Sequence, residues 1–162
     1  MDRNTLRKIF DFIEEKESKT SLAFKILNDF DNIRDNELIV NGNLNLAYKN
    51  ITSLPDALMV GGNLSLTRCT SLTSLPDAFM VGGNLGLTGC SNITSLPDGL
   101  KVGGDLYLTG CTNLTSLPDG LKVGGNLYLA NTPLAKYTDG ELLKMIGSNG
   151  CIKGIIKRSW LG

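Results

Sequence analysis

The sequence predicts a repeat solenoid: coils that stack short strands into a parallel β-sheet, with an α-helical N-terminal cap and a mixed α/β C-terminal cap. Three observations predict it. Four near-copies of one unit follow one another, and the leucine before each Pro-Asp falls at Leu54, Leu75, Leu96 and Leu117, a constant 21 residues apart. Each unit holds an apolar triplet that alternates with period two, as in Leu106-Tyr107-Leu108, which turns both leucines to one side of a strand. Each also holds two turn signals, Pro-Asp and Gly-Gly, that fold the chain back on itself.

The elements follow in order. Residues 1–37 are expected to form the helical cap: Leu6, Ile9, Phe10 and Ile13 share one helical face, and Leu22, Ile26, Leu27 and Phe30 a second. Residues 38–133 form the solenoid of about five coils, entered through Glu37-Leu38-Ile39-Val40. Leu44-Asn45-Leu46, Leu64-Ser65-Leu66, Leu85-Gly86-Leu87, Leu106-Tyr107-Leu108 and Leu127-Tyr128-Leu129 are the five expected strands of one sheet. Thr109-Gly110 turns the chain, Cys111 points inward, and Leu114 and Leu117 line the far wall. Pro118-Asp119-Gly120 is the next turn; because Ala57 and Ala78 stand where this glycine would, the position is expected not to need a positive φ. Leu121 and Val123 return inward. Gly124-Gly125 makes a tight corner that calls for a positive φ or a close backbone approach. Asn43, Asn63, Asn84, Asp105 and Asn126 follow the corners and are expected to bond the turn backbone.

Residues 134–162 form the C-terminal cap. Thr138 and Glu141 have capping-box spacing and open a helix from Asp139 to Ile146 that stops at Gly147. Cys151 to Lys157 is expected as a closing strand on the open sheet edge. No coil offsets the entropy of ordering its own residues by itself, so the array folds as a block and its ends need covers.

Composition excludes several functions. The 16 basic residues balance 16 acidic ones, and the repeats carry only Lys49, Arg68, Lys101 and Lys122 as cations, so there is no basic stripe for nucleic acid. With no spanning apolar run and no signal-peptide core, no membrane partner and a cytoplasmic location are expected. Cys69, Cys90 and Cys111 recur every 21 residues and are expected as a buried ladder of reduced thiols; Cys151 stands apart. With no histidine and no converging ligands, no catalytic, cofactor or metal site is expected. Asp56, Asp77, Asp98 and Asp119 form a carboxylate ladder that turn chemistry explains, and Thr52, Thr73, Thr94 and Thr115 a threonine ladder of the kind ice-binding solenoids use, explained here by a β-prone surface.

At LxLxxCxxLxxLPxxL the repeats resemble the leucine-rich repeat family: Leu106, Leu108, Cys111, Leu114 and Leu117 fall at its strand leucines, its Asn/Cys position and its next two core positions. LTSLPDGL is similar to repeats of some immune receptors and bacterial effectors. The resemblance covers about residues 38–133 and implies a right-handed coil. The units are short for that family and Val-Gly-Gly-Asn replaces its usual entry to the strand, so a turn or extended segment is expected in place of a convex helix. Similar LPDGLKVGGNLYL repeats followed by a segment like NTPLAKYTDGELLKMI occur in bacterial and bacteriophage proteins.

The family resemblance implies partner binding, usually of proteins, on a concave sheet face. The residues that vary there are Asn45, Ser65, Gly86, Tyr107 and Tyr128, beside Thr88, Thr109 and Arg68, with the strongest anchors, the tyrosines, toward the C-terminal coils. The expected function is therefore a non-enzymatic protein-binding module, in the phage or bacterial setting an accessory protein that binds and inhibits a host (defence) protein. A structural component of a larger particle is the alternative, and a ligand- or ice-binding solenoid a more distant one. Nothing indicates homo-oligomerisation.

Overall fold

The computed structural model describes residues 39–56, 58–77 and 79–159. The helical cap expected over residues 1–37 lies outside them. The described chain is a β-solenoid in which every strand pairs in parallel with the same strand of the next coil. Its strands are β1 (Ile39–Val40), β2 (Leu44–Asn45), β3 (Met59–Val60), β4 (Leu64–Ser65), β5 (Met80–Val81), β6 (Leu85–Gly86), β7 (Lys101–Val102), β8 (Leu106–Tyr107), β9 (Lys122–Val123), β10 (Leu127–Tyr128), β11 (Cys151–Ile152) and β12 (Ile156–Lys157).

They form two six-stranded sheets, not the single five-stranded one expected: β1-β3-β5-β7-β9-β11 and β2-β4-β6-β8-β10-β12. The unexpected first sheet comes from the Met-Val and Lys-Val pairs before each Gly-Gly. Val60, Val81, Val102 and Val123 are buried while Met59, Met80, Lys101 and Lys122 face out. A two-residue strand is too short to show an alternation, so these pairs read only as an inward return. The second sheet is the expected one, with Leu46, Leu66, Leu87, Leu108 and Leu129 fully buried beneath it.

The corner between the sheets has a specific problem to solve. Up to the second glycine, backbone N–H groups point back to the preceding coil, as in Gly82 N to Val60 O (2.7 Å) and Gly83 N to Gly62 O (2.9 Å). From the strand leucine onward they point forward, as in Leu85 N to Asp105 O (2.9 Å). The residue at the reversal points both its N–H and its C=O backward. Its carbonyl accepts from the preceding strand leucine (Leu64 N to Asn84 O, 2.9 Å), which leaves its N–H with no backbone acceptor.

The preceding coil's Asn side chain supplies one. Asn43 Oδ1 accepts from Asn63 N (2.7 Å), Asn63 from Asn84 (2.7 Å), Asn84 from Asp105 (2.8 Å), Asp105 from Asn126 (2.7 Å) and Asn126 from Ile155 (3.0 Å). The expected local turn bonds are thus bonds between coils. Only an acceptor is needed, which is why aspartate serves at 105.

The glycine pair is explained by the same contacts. No corner glycine has a positive φ; close approach is the constraint. A Cβ on Gly83 would overlap Asn63 Oδ1, and one on Gly82 would overlap the Gly61 carbonyl. Positive φ appears instead where the chain leaves the second sheet, at Tyr48 (61°), Arg68 (58°), Gly89 (74°), Gly110 (75°) and Asn131 (55°), and at the Pro-Asp turns, at Gly99 (69°) and Gly120 (67°). The expectation that the Pro-Asp position needs no positive φ therefore fails in these two turns; Ala57 and Ala78 lie outside the described residues.

The C-terminal cap is a coil with an insertion. Helix α1 (Asp139–Met145) begins at the expected capping box: Thr138 Oγ1 accepts from Glu141 N (3.3 Å) and Glu141 Oε2 accepts from Thr138 N (2.8 Å). It is followed by Ile146 and the left-handed Gly147 (φ 67°). Ile146 O accepts from Gly120 N (2.8 Å), the role that Asp119 O plays for Gly99 N (2.7 Å) one coil earlier. The expected closing strand is two strands, β11 and β12, bent at Lys153-Gly154 so that each sheet receives one.

Asn84→Ala is expected to destabilise the protein by roughly 1–2 kcal/mol in urea unfolding, because the Asp105 N–H loses its acceptor, whereas Asn84→Asp retains most of the stability. Gly83→Ala should cost more than either.

Candidate functional site

The outward side of the second sheet carries two columns of side chains. Asn45, Ser65, Gly86, Tyr107, Tyr128 and Lys157 are successive register partners in the first. Ala47, Thr67, Thr88, Thr109, Ala130 and Ser159 form the second, two residues on. The structure thus brings Asn45, Ser65, Gly86, Thr88, Tyr107, Thr109 and Tyr128 to one face. Arg68 stands at its margin, in the left-handed turn, exposed, with its stem packed toward Gly89. Asn45 is exposed but engaged locally, accepting from Ala47 N (3.0 Å). Ser65 Oγ and Thr67 Oγ1 are 3.5 Å apart.

The face divides into two halves. In the C-terminal half the Tyr107 and Tyr128 rings stack with centroids 4.5 Å apart and planes 12° from parallel. The coil pitch imposes this, since parallel neighbours lie roughly 4.7–4.9 Å apart. Lys157 Nζ lies 5.2 Å from the Tyr128 centroid, a cation over an aromatic face. The Tyr107 hydroxyl donates to Asp105 Oδ2 (3.1 Å), which fixes the ring. Burial, and then the Asp105 carboxylate, push the Tyr107 phenol up to about 12, so it stays neutral. A cleft of about 200 Å³ lies here, lined by Thr88, Tyr107, Thr109, Tyr128, Ala130, Lys157 and Ser159. In the N-terminal half Ser65 and Gly86 leave a shallower hollow of about 310 Å³ against Tyr107.

Sequence reasoning missed Lys157 and the anchoring role of Asp105. A signal for Lys157 exists: Cys151-Ile152-Lys153-Gly154-Ile155-Ile156-Lys157 follows Lys122 to Tyr128 residue for residue, with Ile152 for Val123, Gly154 for Gly125 and Lys157 for Tyr128. The inserted helix puts it 29 positions on instead of 21, which hides it from a fixed-period reading.

The other ladders lie elsewhere. Asp56, Asp77, Asp98 and Asp119 run along one polar groove with Ser74, Ser95 and Ser116. Asp98 Oδ1 accepts from Asp119 N of the next coil (3.0 Å), so this carboxylate bonds between coils, where turn chemistry called for a bond within its own turn. Among the described residues no three His, Cys, Asp or Glu side chains converge as metal ligands. Thr52, Thr73, Thr94 and Thr115 are exposed on the third side of the coil, which has no strand beneath them. On the first sheet the outward column changes from Ile39, Met59 and Met80, all exposed, to Lys101 and Lys122, which face each other directly across β7 and β9.

Cys69, Cys90 and Cys111 are free and fully buried, each thiol donating to a carbonyl of the preceding coil: Leu46 O (3.1 Å), Leu66 O (3.0 Å) and Leu87 O (3.1 Å). Burial raises all three pKa values, Cys90 to about 11 and Cys111 to about 12. Among the described residues no helix is long and apolar enough to cross a membrane. No protein-family profile, no curated protein and no solved structure matches this chain.

Native protein treated with iodoacetamide at about pH 8 is expected to be modified at Cys151 alone, the other three reacting only on unfolding. Because the buried thiols keep protons that the unfolded chain releases above about 9, their contribution to stability is full below that pH and is lost as pH rises toward 11–12. The urea midpoint should fall between about pH 8 and about pH 10.5, and fall less in Cys90→Ala/Cys111→Ala protein.

Proposed function

We propose that the protein is a non-enzymatic binding module that holds a protein partner on the outward face of its second sheet, centred on Tyr107 and Tyr128. The observation that carries this reading is the ordered tyrosine stack itself. Two aromatic rings lie half-buried on an open sheet face, fixed by Asp105 at one edge and Lys157 at one end, beside a cleft of about 200 Å³. Preorganised rings lose little entropy on binding, and tyrosine joins a large apolar surface to a polar tip, as interface anchors do. Arg68 supports the same face, since it sets an exposed cation at its margin, in a left-handed turn position that Gly89 and Gly110 fill in the next two coils and Tyr48 and Asn131 in others.

Within this proposal the chain is a relative of the leucine-rich repeat proteins with a right-handed coil and a concave binding sheet. Its leucine and cysteine spacing supports that finer assignment. The likeness of its repeats to bacterial and bacteriophage proteins supports a phage or bacterial accessory role in the cytoplasm, binding and inhibiting a host (defence) protein. A structural role in a larger particle is the second reading, favoured by the exposed column Ile39, Met59 and Met80 on the first sheet, 58%, 46% and 39% exposed.

Affinity capture with wild type and Tyr107→Ser/Tyr128→Ser protein decides between these. One stoichiometric host protein is expected with wild type, its affinity reduced about thirtyfold in the double variant, as loss of hot-spot anchors of about 2 kcal/mol predicts. Equal capture by the variant overturns the reading, and recovery of particle proteins through Met59 and Met80 replaces it with the second.

A further inference from the structure

The aromatic stack has two ends, and they differ. Lys157 covers the outer face of Tyr128. The outer face of Tyr107 turns toward its register partner Gly86, which has no side chain to cover it. None of the constraints that explain the other glycines acts at Gly86. Its φ is not positive, and a Cβ there would make ordinary contacts, the nearest being Thr67 Oγ1 at 3.5 Å and Leu64 O at 3.7 Å. A strand position normally favours a side chain, since glycine there loses entropy and packs nothing. Glycine at 86 leaves open a hollow of about 310 Å³ whose end wall is the bare face of Tyr107 and whose lining includes Ser65, Thr67, Asn84 and Thr88.

We infer that this hollow is an empty rung of the stack and that it receives the planar guanidinium of an arginine on the partner protein, laid flat on Tyr107. This rests on the binding-face reading given above and names what the face recognises. Charge complementarity selects the guanidinium. The ring face is electron-rich, and the Asp105 carboxylate lies at the edge of the same ring, bonded to its hydroxyl. The surrounding Ser65, Thr67 and Thr88 hydroxyls offer oxygens to a group that carries five coplanar donors and no acceptor. Lys157 on Tyr128 shows that this stack takes a cation on its face. Thickness agrees as well, because successive rungs repeat at the strand spacing of roughly 4.7–4.9 Å, enough for one flat group. A partner phenyl ring would fill the volume but bring no positive charge to the Asp105 carboxylate and no donors to the hydroxyl oxygens of the lining. Arg68 sits beyond the threonine column and is not part of the lining.

A random displayed-peptide library selected on the wild-type chain tests this, with the winning peptides measured against Gly86→Val and Tyr107→Ser/Tyr128→Ser protein. Circular dichroism and the melting temperature of Gly86→Val should match or exceed wild type, and Gly86→Ala serves if valine disturbs the strand. Peptides sharing one arginine are expected, weakened about tenfold by Gly86→Val and about fivefold when that arginine becomes lysine, whose ammonium cannot stack flat. Peptides sharing an aromatic residue instead, or arginine peptides that bind Gly86→Val as well as wild type, overturn the guanidinium rung. If binding depends on the tyrosines but not on Gly86, only this inference falls. If it is unchanged in the tyrosine variant, or if wild type enriches no peptide, the binding-face reading falls with it.

Discussion

The reversal of hydrogen-bond direction at the corner between the two sheets is the constraint on which the rest of this solenoid depends. One backbone N–H per coil is left facing the preceding coil with no backbone acceptor opposite, and the Asn or Asp side chain there accepts it at 2.7–3.0 Å. The acceptor oxygen occupies the space a Cβ of the second corner glycine would need, and the first glycine lies against the carbonyl of its counterpart one coil back. Gly-Gly-Asn is therefore a joint between coils that happens to sit at a turn. It works wherever one coil meets the next in register, and the cap coil, which carries an inserted helix, still takes part through Ile155 N.

That joint and the buried columns set the pitch, and the pitch arranges the surface. Leucines, valines and cysteines beneath the sheets are the same from coil to coil, with the thiols bonded to carbonyls of the neighbouring coil. Whatever stands outside is then copied at the strand spacing. Two tyrosines become a stack, two lysines meet head on, and a glycine becomes a gap of defined width. The C-terminal cap uses the same rules: Ile146 O, Asn126 Oδ1 and the bend at Lys153-Gly154 reproduce the contacts of a further coil, while Leu134 and Leu142, the latter on α1, join the buried core.

Much of this was legible in the residues. The strand leucines, the inward cysteines, the capping box at Thr138 and Glu141, and the shared face of Ser65, Gly86, Tyr107 and Tyr128 follow from spacing, because equal spacing in a solenoid means equal position. The first sheet was not legible, since Lys101–Val102 and its equivalents are too short to carry a period. The positive φ of Gly99 and Gly120 was hidden by the alanines that stand at the matching places in earlier units. Lys157 was hidden by the inserted helix, which breaks the spacing but not the register.

The sequence by itself determined that the chain stacks into coils, which side chains point inward, and which positions vary on the surface, because a fixed 21-residue period converts directly into columns. Only the tertiary structure decided what the repeated Gly-Gly-Asn does, that two sheets form instead of one, and that the tyrosine stack is closed by Lys157 at one end and open above Gly86 at the other. Those are relations between coils. Their partners are set by the direction of backbone N–H groups and by the distance between neighbouring strands, neither of which is a property of any one repeat.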